Sequence, residues 1–237
     1  MVGQTASLSA EVTLDDRPLP LSQNGYFAFG FHRDEKNSQQ LIITYDNGSV
    51  FMTSLTPQQR TYKTQSISGL ESKYVTPPQE ITDRIQQDRD NVIKARAQLS
   101  TSDDFIVKGF DWPVRGVITG VYGSQRILNG KPRAPHYGID IAAPSGTPII
   151  SPADGIVTMA DDLYFTGGTL IIDHGLLISS TMLHLQTMAV QRGDKVKRGD
   201  LIGTVGSTGR STGPHLDWRL NWQDKRLDPE IAALPLN

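Results

Sequence analysis

The sequence contains no cysteine. This absence excludes a thiol nucleophile, a thiolate-ligated zinc site and disulfide bonds. Long hydrophobic runs are also missing, and none approaches the roughly 18 apolar residues that span a bilayer, so no transmembrane segment is expected. No secretory leader is visible at the start of the chain.

The sequence also lacks a large excess of charge of either sign. The 237 residues carry a formal net charge of −2 at pH 7. The densest basic cluster, at 195–198, is short and includes an apolar residue, which is typical of an exposed turn. Because nucleic-acid binding requires a basic surface, no nucleic-acid partner is expected.

Turn-forming residues, by contrast, are abundant: 22 glycines and 14 prolines favour a β-rich protein. Residues 7–14 alternate between apolar and polar, which predicts a half-buried strand. The Asp46-Asn47-Gly48 sequence predicts a hairpin turn. About five short strands within 70 residues favour a small β-sandwich-like domain, which we place at residues 1–76.

A helix is predicted after this domain. The sequence Thr76-Pro77-Pro78-Gln79 has the features of a helix start, with Thr76 as N-cap and Pro77 at the first helical position. The predicted helix covers 77–99, within a linking segment 77–103. Its apolar residues recur at helical spacing on one narrow face. They are Ile81, Ile85, Val92, Ala95 and Leu99.

Residues 104–237 show short β-type runs again and are expected to form a second, compact antiparallel β domain. Within it, residues 127–135 are polar, contain glycine and proline, and are predicted to form a loop. The fold expected for the whole chain is therefore mainly β, with a helix between the two domains.

Five side chains in the second domain could support metal or proton-transfer chemistry. His215 and Asp217 are two apart on a predicted strand, so they share a face. His136 and Asp140 flank Gly138, which lets the chain bend and bring both onto one ion. His184 is predicted to face away from the core. Taken singly, each histidine is better explained as a structural hydrogen-bonding residue.

As a set, these residues could supply three ligands, an open position for water and nearby bases, which is the composition of a hydrolytic zinc site. The motifs that contain them, together with the intervening glycine-rich turns, resemble those of the LytM/lysostaphin-type zinc metalloendopeptidases over residues 110–230. The main ones are His136-Tyr-Gly-Ile-Asp140, Asp173-His-Gly175, Met182-Leu-His-Leu185 and the run from Gly206 to Leu216.

The resemblance implies a peptidase that cleaves peptidoglycan peptides, with one Zn²⁺ ion in an open groove and a non-catalytic region before it. It implies that His136 and Asp140 are zinc ligands and that His184 and His215 are catalytic. The third ligand of the family is a histidine, and this chain has Asp217 in its place. Zinc would polarise the peptide carbonyl and activate water, with His184 and His215 assisting proton transfer.

Asp217 leaves three interpretations open. The first is an active site with one histidine and two aspartates as ligands, since carboxylates also bind zinc. The second is a weakened or lost metal, which would leave a catalytically weak relative that binds peptidoglycan or regulates another cell-wall hydrolase. In the third, His215 is a ligand and Asp217 orients it.

Several further expectations follow from the resemblance. The substrate implies an exported protein, located in the periplasm or cell envelope, whose leader is absent from this chain. The N-terminal domain is a candidate surface for a cell-wall partner protein. Arg126 and Arg210 could steer an anionic peptide terminus, although each is better explained as a surface or packing arginine. His174 is expected to be structural.

Overall fold

The computed structural model describes residues 1–98 and 100–235, and strands dominate it. The mainly β prediction is therefore confirmed. No helix in the described ranges has both the length and the apolar character needed to cross a lipid bilayer. The N-terminal strands are β1 (Val2–Gln4), β2 (Glu11–Leu14), β3 (Arg17–Pro18), β4 (Tyr26–Ala28), β5 (Gln39–Thr44), β6 (Val50–Leu55) and β7 (Thr64–Ile67).

The first six strands form two sheets. Strands β1 and β4 pair with each other, and a four-stranded sheet has the order β3-β2-β5-β6. The hairpin predicted at residues 46–48 joins β5 to β6. The strand predicted over 7–14 is shorter than expected, because residues 7–10 form a turn in which the Ala10 N–H donates to the Ser7 carbonyl oxygen. Leu8 is consequently 62% exposed.

The predicted helix is also shorter than the sequence suggested. The helices are α1 (Ser72–Val75), α2 (Thr82–Arg96), α3 (Asp104–Lys108) and α4 (Pro229–Ala232), with a 3₁₀ turn at Gln79–Ile81. Thr76 ends α1 instead of capping the long helix. Two consecutive prolines explain the delay, since a residue before proline avoids helical geometry, and Pro78 itself is extended.

Helix α2 packs on one side only, as its narrow apolar stripe predicts. Ala95 is buried and belongs to a small cluster with Met159 and Ile171, against which Val92 packs. Leu99, the last member of the predicted stripe, lies outside the described residues.

The strands of the second region are β8 (Val117–Gly120), β9 (Gln125–Leu128), β10 (Lys131–Arg133), β11 (Ile139–Ala142), β12 (Pro148–Ile150), β13 (Gly155–Leu163), β14 (Gly167–Gly175), β15 (Ile178–Met188), β16 (Lys195–Val196), β17 (Leu201–Val205), β18 (His215–Trp222) and β19 (Lys225–Leu227). Most of them form a ten-stranded sheet whose main path is β16-β13-β14-β15-β18-β11-β8. Its buried centre contains Trp218, Trp222 and Ile139.

Residues 127–135, predicted to be a loop, instead include most of a hairpin formed by β9 and β10. Its turn is Asn129-Gly130, with φ angles of 48° and 79°. Positive φ at both central residues is the geometry that tight hairpins favour, and Asn-Gly is its strongest sequence signal. The prediction was wrong because that signal was outweighed by the polar composition.

Strand β7 pairs in parallel with β9 and so joins the N-terminal region to the second region. One contiguous buried cluster also contains residues of both regions, such as Val12 and Trp218. The predicted division at residues 76 and 103 stays a prediction, and this pairing crosses it.

Candidate metal centre and active-site groove

Asp140 and Asp217 lie directly opposite each other on the adjacent strands β11 and β18. Like charges at opposite positions destabilise a sheet unless other groups compensate them. His136 lies beside both carboxylates: its Nε2 is 3.0 Å from Asp140 Oδ1 and 3.3 Å from Asp217 Oδ2. All three side chains are buried, and their ligand atoms lie within 4.8 Å of one another. The three residues that the sequence predicts as ligands are therefore brought together.

The spacing of these atoms fits a divalent metal. Ligand atoms about 2.1 Å from a tetrahedral zinc ion are about 3.4 Å apart, close to the two distances from His136 Nε2. Within the described residues, Nε2 of His136 is buried and has no aligned hydrogen-bond partner. Its Nδ1 lies 3.4 Å from the carbonyl oxygen of Val121, an arrangement that leaves the lone pair on Nε2.

The protonation states of the three residues are coupled. Burial alone would raise the pKa of Asp140, but the neighbouring His136 lowers it to about 2. Burial likewise opposes ionisation of Asp217, yet Arg219 and His136 hold its pKa well below its usual range. Burial lowers the pKa of His136, but the two carboxylates more than offset this and raise it. Both carboxylates are thus ionised, and metal binding, which requires the neutral form of His136, competes with protonation of that ring.

Each carboxylate also binds an arginine, and the two pairs differ in geometry. Arg126 Nη2 donates to Asp140 Oδ2 at 2.6 Å, so Oδ1 remains directed at His136. Arg219 binds both oxygens of Asp217, with Nε 3.0 Å from Oδ1 and Nη2 2.6 Å from Oδ2. Sequence reasoning missed Arg219, although it is two residues from Asp217 on the same strand and so shares its face.

His184 and His215 form a second group beside the three candidate ligands. Their ring centroids are 4.8 Å apart, and His215 Nε2 is 3.8 Å from Asp140 Oδ1. Nδ1 of His184 is 2.7 Å from the Thr208 carbonyl oxygen, and Nδ1 of His215 is 2.8 Å from that of Gly213. Since a carbonyl can only accept, each Nδ1 carries a proton, and in the neutral form of either ring the lone pair lies on Nε2.

His184 lines the same cavity as His215, whereas its neighbour Leu185 belongs to the hydrophobic core, as the predicted orientation requires. The His184 side chain is nevertheless buried, and burial lowers its pKa to about 4. Its φ of 67° is unusual for a residue other than glycine. The register of β15 against β14 also shifts between Met182 and Leu185, a span that includes this position. This irregular backbone, which strand parity does not predict, turns the ring toward His215.

These residues lie in a groove with a volume of about 530 Å³. The hairpin of β9 and β10 lines it, as do Phe165, Thr166 and residues 210–214. Gln65 and Ile67 of strand β7 also line it, together with Leu70. The N-terminal region therefore contributes part of the groove wall, which no local sequence pattern indicated.

Comparison with known proteins agrees with this geometry. Residues 134–229, which contain all five candidate residues, match the model of Peptidase family M23. The chain carries an M23 peptidase domain. The resemblance drawn from the motifs is thus confirmed.

Two curated relatives illustrate the match to the M23 domain. Peptidoglycan DD-endopeptidase ShyA of Vibrio cholerae is 40% identical over 103 residues, which cover 44% of this chain and 24% of the relative. DD-carboxypeptidase/endopeptidase Mpg of Neisseria meningitidis is 40% identical over 100 residues, which cover 42% of this chain and 23% of the relative. The chain thus matches about a quarter of the length of these relatives.

Two solved structures resemble the fold. A crystal structure of a candidate M23 peptidase from Pseudomonas aeruginosa has a TM-score of 0.73 and 25% identity, over 99% of this chain and 93% of that one. A zinc-containing peptidase from Vibrio cholerae has a TM-score of 0.50 and 21% identity, over 84% of this chain and 79% of that one, and shows similarity of fold alone.

Two glycines make room for the carboxylate–arginine pairs of the M23 domain. A Cβ atom at Gly120 would overlap Asp140 Oδ2 and crowd Arg126. A Cβ at Gly138 would overlap Asp217 Oδ1, and would lie 2.6 Å from both Arg219 Cγ and the Trp218 carbonyl oxygen. The sequence suggested that Gly138 lets the chain bend. The structure shows that Gly138 also lets the Asp217–Arg219 pair approach the backbone closely.

His174 has the structural role that the sequence predicts. Its Nδ1 is 2.8 Å from the Asp154 carbonyl oxygen, and its Nε2 is 2.8 Å from Ser180 Oγ. The ring is fully buried, and burial lowers its pKa to about 4. With both nitrogens occupied, His174 has no free atom to offer a ligand.

Proposed function

We propose that this protein is a zinc-dependent endopeptidase that hydrolyses peptide bonds in peptidoglycan. The observation that carries the proposal is the convergence of His136, Asp140 and Asp217 beside the His184–His215 pair, in an open groove. The names of relatives matched by the M23 domain support peptidoglycan as the substrate. Such a substrate also supports a location in the cell envelope.

His136, Asp140 and Asp217 would hold the zinc ion, with Asp140 offering Oδ1 and His136 offering Nε2. Zinc bound there would polarise a peptide carbonyl and lower the pKa of a water molecule. His136 is kept in place by Val121, and Arg126 fixes the outer oxygen of Asp140. The third interpretation of Asp217 loses support, because Asp217 contacts His136 and Arg219 whereas the carboxylate nearest His215 is that of Asp140.

His184 and His215 would handle protons. His184 is neutral at pH 7, because burial lowers its pKa to about 4, and its Nε2 can accept a proton or a hydrogen bond. His215 presents Nε2 on the Asp140 side of the same site. Each Nε2, in a ring oriented by a backbone carbonyl, can take a proton from the nucleophile. The protonated ring can then stabilise negative charge that develops on the substrate.

A metal-poor relative that binds peptidoglycan, or that regulates another hydrolase, remains the second candidate. The observation that favours it is Arg219, which contacts both oxygens of Asp217 and competes with a cation for them. A role of the N-terminal region in binding a cell-wall partner protein also stays a prediction.

The test is digestion of purified peptidoglycan sacculi by zinc-reconstituted protein, followed by chromatography of the released muropeptides. The wild type is expected to release fragments, and chelation is expected to stop the release. His184→Ala and His215→Ala should each lower the rate at least about 100-fold while retaining zinc. His32→Gln, outside the groove, serves as the matched control. Retained zinc without any cleavage by the wild type would favour the second candidate.

A further inference from the structure

Four arginine side chains line the groove of the M23 domain: Arg126, Arg133, Arg210 and Arg219. Arg126 and Arg219 each bind a carboxylate of the candidate metal centre. Arg133 and Arg210 differ, because their hydrogen bonds within the described part of the chain go to backbone carbonyls and not to carboxylates. Two positive charges in the groove are therefore not neutralised by a direct partner in residues 1–98 and 100–235.

The partners of these two guanidinium groups lie next to each other. Arg133 Nη2 donates to the Val75 carbonyl oxygen at 2.6 Å, and Arg210 Nη1 donates to that of Tyr74 at 3.4 Å. Both carbonyls belong to residues 69–76, a segment that we call the strap. Arg133 and Arg210, which line the groove, thus converge on two consecutive peptide groups of the strap, and we call this part of the groove its strap end.

The strap is tied to two segments that line the groove. The side chain of Asn129, in the β9–β10 turn, bonds to the backbone of Leu70. The Tyr164 hydroxyl donates to the Lys73 carbonyl oxygen at 2.9 Å. The rings of Tyr74 and Tyr164 are 5.3 Å apart. These contacts fix the strap as the boundary of this end of the groove and hold its carbonyls in place.

Positive charge accumulates at this end. The guanidinium of Arg210 lies 5.0 Å from the centre of the Phe165 ring, which limits its movement. Its pKa is lowered, first by burial and then by the charges of Arg219, Arg126 and Arg133. A cleft with one sign of charge and poor access to water attracts the opposite charge strongly.

We propose that Arg133 and Arg210 form a carboxylate-binding subsite at the strap end of the groove, which receives an acidic group of the peptide substrate. The proposal rests on the peptidase function proposed above. A carboxylate forms charge-assisted, two-pronged hydrogen bonds with a guanidinium, and these are about twice as strong as bonds between neutral groups. Arg133 and Arg210 would therefore donate to a substrate carboxylate in preference to the neutral carbonyls of Tyr74 and Val75.

The first test compares two peptide substrates that differ in one group. One is a crosslinked muropeptide with its free carboxyl groups, and the other is the same muropeptide with those groups amidated. The wild type is expected to cleave the acidic form with kcat/KM about tenfold higher, a ratio that corresponds to one charge-assisted contact. This comparison needs no substitution, and a ratio near one would overturn the proposal.

Variants then assign the preference to the two arginines. In the Arg133→Gln/Arg210→Gln double variant, the ratio of kcat/KM values is expected to fall from about ten to about one. If the arginines only anchored the strap, both substrates would be affected equally and the ratio would not change, which would overturn the proposal. Arg192→Gln, an exposed arginine outside the groove, is the matched control and should keep the wild-type ratio.

Binding without turnover separates this proposal from the proposed function. Titration calorimetry with chelator present measures the affinity of the metal-free protein for the acidic and the amidated product peptides. Binding about tenfold tighter to the acidic peptide, lost in the double variant, would support the subsite even if no cleavage were ever observed. Cleavage together with equal affinity for both peptides would support the peptidase and refute the subsite.

Discussion

The two carboxylate–arginine pairs of the candidate metal centre consist of the same residue types but present different charges to the site. Arg126 touches only the outer oxygen of Asp140, so the inner oxygen keeps its negative charge toward His136. Arg219 binds both oxygens of Asp217, including the one that faces His136. The formal charges of Asp217 and Arg219 cancel, so the pair is neutral overall, as a neutral histidine is.

This difference bears on the position where the resembling family has a histidine ligand. A lone aspartate there would neutralise more of the metal's charge and weaken its effect on bound water. Arg219 counteracts that change, because its positive charge lies within 3.0 Å of the carboxylate. We therefore expect Asp140 to dominate metal affinity and the Asp217–Arg219 pair to act as a weaker, neutral ligand.

The largest effect is expected from removing the charge of Asp140. Asp140→Asn should lower zinc affinity at least about 100-fold, because the oxygen that Arg126 leaves free loses its charge. Asp217→Asn, the matched variant, should lower it only about tenfold, since Arg219 already competes for that carboxylate. Competition with a chelator of known zinc affinity measures both. Equal losses would contradict the distinction between the two pairs.

The next effect concerns stability. Asp217→His restores the family's residue but leaves the largely buried Arg219 without its partner, so we expect about 3 kcal/mol less unfolding free energy. Adding Arg219→Met should recover most of that loss, because no unpaired charge remains. Denaturant titration of the two single variants and the double variant gives the coupling energy. An Asp217→His protein as stable as the wild type would show that the pair contributes little.

A smaller difference is expected between the two glycines. Gly138→Ala should cost about 3 kcal/mol of stability, because its Cβ would press on a backbone carbonyl as well as on Asp217. Gly120→Ala should cost about 1 kcal/mol, since the atoms it meets belong to the side chains of Asp140 and Arg126. Urea unfolding of both variants tests this. A larger loss of stability for Gly120→Ala than for Gly138→Ala would mean that the side chains of Asp140 and Arg126 cannot move aside.

The smallest effect is expected from replacing each arginine by lysine. Arg126→Lys should change zinc affinity less than about threefold, because an ammonium group can replace a single contact. Arg219→Lys should change it about tenfold, since lysine cannot reproduce a two-pronged contact. The same chelator competition compares them, with Arg192→Lys as the control. Equal responses would mean that the two-pronged contact has no special effect.

Much of the site could be predicted from sequence, because its residues lie in short motifs with recognisable spacing. His215 and Asp217 share a strand face, and the His136–Asp140 motif brings its two side chains to the same point, as expected. Arg219 was not predicted, because the sequence was searched for residues that bind a metal ion, and an arginine beside such residues is not one of them. The positive φ of His184 was not predicted, because strand parity assumes a regular extended backbone.

Long-range features of the fold could not be predicted in this way. The parallel pairing of β7 with β9 joins residues about 60 positions apart, and no local pattern encodes it. The strap depends on that pairing, so its place at the end of the groove was equally hidden. The β9–β10 hairpin, in contrast, had a readable signal in Asn129-Gly130. The late start of α2 was also readable from Pro77 and Pro78.

The central claim is that His136, Asp140 and Asp217 hold one metal ion, and anomalous X-ray scattering at the zinc edge tests it most directly. Crystals of the zinc-reconstituted protein should show a single strong peak in the groove, about 2.0–2.2 Å from His136 Nε2, Asp140 Oδ1 and a carboxylate oxygen of Asp217. The absence of a peak at these atoms, with Arg219 still bound to both oxygens of Asp217, would contradict it.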